Sequence, residues 1–186
     1  MKILTGTLRG RRITFRPSPE LRPTSDKARK AIFDMFQGEM EGKRVLDLFS
    51  GTGALGLEAL SQGAEHVTFV DNDKAQCRDI SANLEQIGGL AGRTAVVCAD
   101  ALETLHRLNG RGESFDFVFI DPPYDDGMAS KSMESLAASD GLVAKGGFVL
   151  VECRKRHDLP EVFGTLKLLR DKRYGQTKIL IYRLCG

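Results

Sequence analysis

The chain predicts an α/β fold: a mostly parallel, seven-stranded sheet with helices on both faces and an antiparallel C-terminal hairpin. Three observations predict it. From Lys43 onward, strand-like and helix-like segments alternate, the mark of parallel strands joined by crossover helices. The segment at 115–120 shows no alternation of polar and apolar residues, so it reads as a central strand buried on both faces. The last two strand-like segments have no clear helix between them, so they read as a hairpin. At 186 residues the chain is of single-domain size. We expect residues 1–23 to form a small basic β-hairpin extension and 24–186 the main domain.

Each element has a local reason. Residues 2–15 read as two short strands around Leu8-Arg9-Gly10-Arg11. Pro17, Pro19 and Pro23 keep the next stretch extended. Thr24, Ser25 and Asp26 are N-cap candidates for a helix reaching about Gln37, with Gly38 as its stop. Its expected apolar stripe is Ala28, Ala31, Ile32, Met35 and Phe36. Strands are then expected at 44–49, 66–70, 94–98, 115–120, 148–153, 166–170 and 178–184. Helices are expected at 54–62, 74–87 and 101–108 and near 130–138. In such sheets ligands bind at the carboxyl ends of the strands.

Charge is unevenly spread. The whole chain carries +2, yet residues 1–30 hold nine basic and two acidic residues, a net of +7. The remainder is −5. A basic arm on a mildly acidic body suits a polyanion, or is a solvated hairpin. Lys27, Arg29 and Lys30 crowd the start of the first helix, the less favourable end for cations. Either a bound anion or plain solvation accounts for them. The four cysteines and three histidines show no metal-ligand spacing. We read the cysteines as buried free thiols in a reducing cytoplasm, without a metal. No apolar run approaches the ~20 residues of a membrane span, and the first residues lack a signal-peptide core.

The first strand runs into Asp47-Leu48-Phe49-Ser50-Gly51-Thr52-Gly53-Ala54-Leu55-Gly56. Gly51, Gly53 and Gly56 form a literal G-x-G-x-x-G, and Asp71 follows Gly51 by 20 residues. That pattern fits a dinucleotide site, and equally a plain tight turn. Asp47 argues against a dinucleotide, because a carboxylate at the end of the first strand repels a pyrophosphate. It suits a ligand with an ammonium group and no phosphate. S-adenosylmethionine is such a ligand. Asp71 would then take its ribose hydroxyls, and the glycine loop its close backbone approach. Asp100, ending the third strand, would accept from the adenine amino group or merely cap the helix starting at Ala101.

The fourth strand ends in Asp121-Pro122-Pro123-Tyr124. The two prolines stop both pairing and helix formation. An exocyclic amino group on a nucleobase is a poor nucleophile because its lone pair is delocalised. The Asp121 carboxyl and the Pro122 carbonyl could hold its two hydrogens and aim the lone pair at an electrophilic methyl. Tyr124 could stack on a base taken out of its stack. The alternative is a rigid connecting loop.

These motifs resemble the class I S-adenosylmethionine-dependent amino-methyltransferases of nucleic acids. More closely, three segments resemble the bacterial 16S ribosomal RNA guanine-N2 methyltransferases, the guanine 966 family. They are Arg22-Pro23-Thr24-Ser25-Asp26-Lys27-Ala28-Arg29-Lys30-Ala31-Ile32-Phe33, the stretch from Val45 to Ser61, and Arg173-Tyr174-Gly175. Two positions depart from the family pattern: Asp71 stands where Glu is usual, and Gln62 where Arg often follows the serine. The resemblance spans nearly the whole chain and implies a Rossmann-like fold and methyl transfer to guanine N2 in 16S ribosomal RNA. The implied catalytic residues are Asp121, Pro122 and Tyr124. The implied S-adenosylmethionine site comprises Thr24, Asp47, Phe49, Ser50, Gly51, Gly53, Asp71, Asn72, Asp100, Ala101 and Asp121. RNA contacts are expected at Arg9, Arg11, Arg12, Arg22 and Arg154, the last from Arg154-Lys155-Arg156 after the fifth strand. The expected partner is ribosomal RNA or a small-subunit assembly intermediate, met by a monomer. Other readings are an adenine-N6 methyltransferase, a dehydrogenase, and an RNA-binding protein without catalysis.

Overall fold

A computed structural model describes residues 1–16, 24–123 and 127–185. After the arm at 1–16, the elements run α1 (Asp26–Met35), β1 (Arg44–Leu48), α2 (Ala54–Ser61), β2 (His66–Asp71) and α3 (Lys74–Ile87). Then come β3 (Thr94–Cys98), α4 (Ala101–Gly110), β4 (Phe115–Ile120), α5 (Met128–Ala138) and β5 (Val143–Arg154). The chain ends in β6 (Val162–Phe163), β7 (Leu166–Tyr174) and β8 (Thr177–Leu184). The strands form one sheet in the order β3-β2-β1-β4-β5-β8-β7-β6. Strands β1 to β5 pair parallel with one another, and β8 lies antiparallel between β5 and β7. Seven strands were expected. The eighth, β6, is a two-residue edge, too short for a periodicity signal.

The chain runs outward one way from β1 and the other way from β4, so the order reverses between these two strands. Side chains alternate across the sheet and build two cores. Val45, Phe69, Phe117, Phe119 and Leu150 meet α1, α2 and α3 on one face. Leu46, Val70, Val118, Ile120 and Val151 meet α4 and α5 on the other. Two edge-on aromatic contacts, Phe33 on Phe119 and Phe36 on Phe117, lay α1 across β4. Strand β4 is buried on both faces, as its lack of alternation predicts.

Three expectations are corrected. Only one of the three cap candidates, Ser25, caps α1, and the helix stops at Met35 rather than about Gln37. Its buried face is Ala28, Arg29, Ile32 and Phe33, with Ala31 and Met35 half-buried. The stripe is rotated because Arg29 turns inward. Its Nη2 donates to Lys2 O at 2.8 Å and pairs with Asp26, while Nε lies 3.3 Å from Glu58, which is also buried. Arg29 therefore holds the fold, not an external anion. Second, the arm's two limbs pair only briefly: Ile3 N–H donates to Arg11 O and Ile13 N–H to Met1 O, both at 3.0 Å, around a single antiparallel bridge from Lys2 to Arg12. Leu4 and Thr5 spend their N–H groups on Glu58 of α2 instead of on a partner strand. Third, Cys77 and Cys153 are buried, but Cys98 and Cys185 are exposed. Among the described residues no helix is long and apolar enough to cross a membrane.

Candidate active site

The site forms where the strand order reverses, at the carboxyl ends of β1, β2 and β4. Asp47 is next to last in β1, and register places it opposite Phe119 of β4. It is buried, and its Oδ2 accepts the Gly56 N–H at 2.9 Å. Burial pushes its carboxyl up to about 7, with the nearby Asp71 charge adding to the rise. After Leu48 the chain turns sharply: Phe49 sits at φ +84°, Gly51 at +50° and Gly53 at +74°. Gly53 is the N-cap of α2. Gly56 is required for a different reason, since a Cβ there would overlap the Phe69 ring. Ser50 closes this loop from behind. Its hydroxyl donates to Asp47 O at 2.7 Å and accepts from Val70 N at 2.8 Å.

Asp71 ends β2 half-buried. Its Oδ2 accepts the Gly51 N–H at 2.7 Å and its Oδ1 the Asp73 N–H at 2.9 Å. Each carboxylate oxygen keeps a second lone pair, enough for a diol. Asn72 beside it is exposed. Asp100 is exposed and caps α4, its Oδ1 accepting from Glu103 N at 3.0 Å. The helix-cap reading thus holds, with Oδ2 still able to accept. Ala101 is buried at the start of that helix.

Asp121 follows β4 directly, on the same sheet face as Asp47. Its Oδ2 lies 3.0 Å from Thr24 Oγ1, which lies 2.9 Å from Glu152 Oε2 on β5. Thr24 and Glu152 are both buried. Burial, the Glu152 charge and the Asp47 charge raise the Asp121 carboxyl well above its usual range, against a lowering bond from Thr24. Pro122 is buried and Pro123 exposed. Tyr124 and Arg22 lie outside the described residues. Sequence reasoning missed Glu152. An acid inside the apolar run Phe148-Val149-Leu150-Val151-Glu152-Cys153 was the available signal.

The basic candidates do not gather in one place. Arg154 is half-buried at the end of β5, on the same edge as Asp121. Arg9, Arg11 and Arg12 are exposed on the arm. Thr7 N and Leu8 N donate to the backbone and side chain of Ser61, the last residue of α2. That anchor is about 10 Å along the helix from the glycine loop, so the arm's tip sits toward the opposite edge of the sheet. Its second limb returns along α3. Thr14 pairs with Asn83 through two hydrogen bonds, and Arg16 N donates to Asp79 at 2.9 Å.

Asp47, Asp71 and Asp121 make the edge strongly acidic, and backbone turns leave it open to close approach. Such a donor set fits a cationic ligand with a ribose: an ammonium for Asp47 and hydroxyls for Asp71. It fits a pyrophosphate poorly, because Asp47 sets a buried carboxyl directly beside the glycine loop that would have to receive it. Among the described residues no group of His, Cys, Asp and Glu is arranged to hold a metal ion.

Residues 1–183 match the family model described as Conserved hypothetical protein 95. The ribosomal RNA small subunit methyltransferase D of Escherichia coli (strain K12) is 33% identical over 183 residues, covering 98% of this chain and 89% of its own. The protein of the same name from Haemophilus influenzae is 31% identical over 186 residues, covering 99% and 92%. A solved structure of a hypothetical protein from Thermus thermophilus superposes with a TM-score of 0.80 at 28% identity, covering 97% and 98%. Matched over nearly its whole length by that family model and by these two relatives, the chain belongs to the same family of ribosomal RNA methyltransferases.

Proposed function

We propose that this member of the family methylates the exocyclic N2 amino group of a guanine in 16S ribosomal RNA, with S-adenosylmethionine as methyl donor. One observation carries the reading: a half-buried carboxyl, Asp121, held by Thr24 at the end of β4, on the same face as the buried Asp47. Asp47 takes the ligand's ammonium group and Asp71 its ribose hydroxyls. Gly51 and Gly53 allow close approach, with Phe49 and Asn72 beside them. Asp100 and Ala101 close the adenine end. The bound cofactor supplies an electrophilic methyl group. The Asp121 carboxyl and the Pro122 carbonyl accept the two amino hydrogens and turn the nitrogen lone pair toward it. Tyr124 stacks on the guanine. Residues 24–186 form the catalytic domain, and the basic extension at 1–23 meets RNA with Arg9, Arg11, Arg12 and Arg22, as Arg154 does from β5. The substrate is ribosomal RNA or an assembling small subunit in the cytoplasm, and the enzyme acts as a monomer.

Mass spectrometry of ribosomal RNA from a deletion strain tests this. Loss of a single N2-methylguanosine, restored by the purified protein and S-adenosylmethionine, is the expected result. Asp121→Ala should still bind the cofactor and lose at least ~10² in rate. An unchanged methylation pattern in the deletion strain would refute the reading.

A further inference from the structure

Thr24 stands between two carboxyl groups, 3.0 Å from Asp121 Oδ2 and 2.9 Å from Glu152 Oε2. A hydroxyl has one hydrogen and cannot donate to both at once. The geometry closes once one of the two acids is protonated, and we place that proton on Asp121 Oδ2, which donates it to Thr24 Oγ1 while Thr24 donates to an ionised Glu152. The three groups then form an unbroken chain of donors leading from the reacting edge into the sheet. Raised protonation of Asp121 agrees with this order.

We propose that Thr24 and Glu152 are a proton relay behind Asp121, with Glu152 the final acceptor of the proton that the substrate amino group loses. The inference rests on the function proposed above and adds two residues to it. The guanine N2 lone pair forms the N–C bond as the methyl–sulfur bond breaks, its electron pair staying on sulfur. N2 is left cationic and passes a proton to Asp121 Oδ1. Asp121 Oδ2 releases its own proton to Thr24 Oγ1, and Thr24 releases its hydrogen to Glu152 Oε2. The products are neutral methylguanine and a neutral thioether, and the positive charge of the donor is cancelled at Glu152.

The surroundings suit this role. Thr24 faces Glu152 from the segment before α1. Asp121 faces it from β4, with Asp47 of β1 behind. Arg154 shares its face of β5 two residues on, and Cys153 and Lys178 lie on the opposite face, Lys178 paired with Asp158. Glu152 acts through Thr24 and Asp121, so it is a positioning residue and proton acceptor rather than a group touching substrate.

The test is single-turnover methyl transfer to under-methylated ribosomal RNA across a pH series. The wild type should rise with pH to a plateau. Glu152→Gln keeps the volume and a hydrogen bond to Thr24 but accepts no proton. It should bind S-adenosylmethionine like the wild type, lose about a hundredfold in rate, and lose the plateau, its rate climbing with pH as water takes the proton. A wild-type rate and profile in Glu152→Gln overturns the relay, as does a loss explained entirely by weaker cofactor binding. If Glu152→Gln does not fold, Thr24→Ser and Thr24→Val decide. The serine variant, which keeps the hydroxyl, should retain far more activity than the valine variant, and equal losses overturn the relay. Absence of transfer by the wild type itself would defeat the proposed function, whereas an active wild type with an unaffected Glu152→Gln defeats only the relay.

Discussion

Cofactor binding should be coupled to proton release, and Asp47 sets the size of the effect. In the unliganded protein its carboxyl is pushed up to about 7 by burial. Only the ionised form attracts the ammonium group of S-adenosylmethionine, so apparent affinity follows the ionised fraction. At about pH 6 that fraction is roughly a tenth, and at about pH 8 roughly nine-tenths. Affinity should therefore rise about tenfold between these pH values and level off above them. The sign follows from the acid's raised position: below about 7 the ligand must first expel a proton, and above it none is held. Isothermal titration in two buffers of different ionisation enthalpy should show about half a proton released near pH 7 on account of Asp47. Asp47→Asn removes the titrating group. It should bind weakly at every pH and lose this component of the slope, and any dependence left belongs to Asp121, whose carboxyl is also raised. A flat affinity between about pH 6 and about pH 8, or an undiminished slope in Asp47→Asn, would refute the placement of Asp47 against the cofactor's cation.

Three further outcomes are expected. Gly56→Ala forces a methyl into the Phe69 ring edge, and should lower stability by about 1–3 kcal/mol in urea unfolding. Glu58→Ala leaves the buried Arg29 without its carboxylate and frees Leu4 and Thr5, costing about 3–5 kcal/mol. Limited proteolysis should then cut within residues 1–16 before the body, and an uncut arm in Glu58→Ala would contradict its role as the anchor. Replacing Arg9, Arg11 and Arg12 together by Ala should weaken RNA binding and flatten its salt dependence, by about 0.7–0.9 in log–log slope for each phosphate that is no longer neutralised. An unchanged slope removes the arm's tip from the RNA path.

Much of the fold was readable because its signals are local. Helix α3 and strands β3 and β4 begin and end where their residues predict. Capping and turn residues mark their limits, and β-branched or aromatic runs fill the strands. Boundaries slipped where long-range packing outweighs local preference. Strand β5 extends back to Val143 because β4 offers it a partner at Phe115, across a shift in register. Helix α1 rotated because a single arginine found a buried carboxylate 29 residues away. That Asp47, Gly51, Asp71 and Asp121 gather at one edge of the sheet was legible because each stands at a strand end within a motif. Ser50 was legible only as part of the loop, and its hydroxyl is spent between β1 and β2.

Residue chemistry and spacing alone determined the alternating α/β order, the acidic carboxyl edge and the preference for a cationic, ribose-bearing ligand over a pyrophosphate. These follow from side chains a few residues apart, which the peptide geometry brings together in any such strand-turn-helix unit. The tertiary structure alone decided the rest. It set Glu152 against Thr24 across 128 residues of sequence, and it carried the tip of the basic arm away from the site that its charge suggested it would serve. Both depend on which strands become neighbours and which helix ends accept stray backbone donors. The +7 of the first 30 residues says that a polyanion is welcome, but the carboxylate and hydroxyl of Glu58 and Ser61 say where the limb and tip that carry Lys2, Arg9, Arg11 and Arg12 are held.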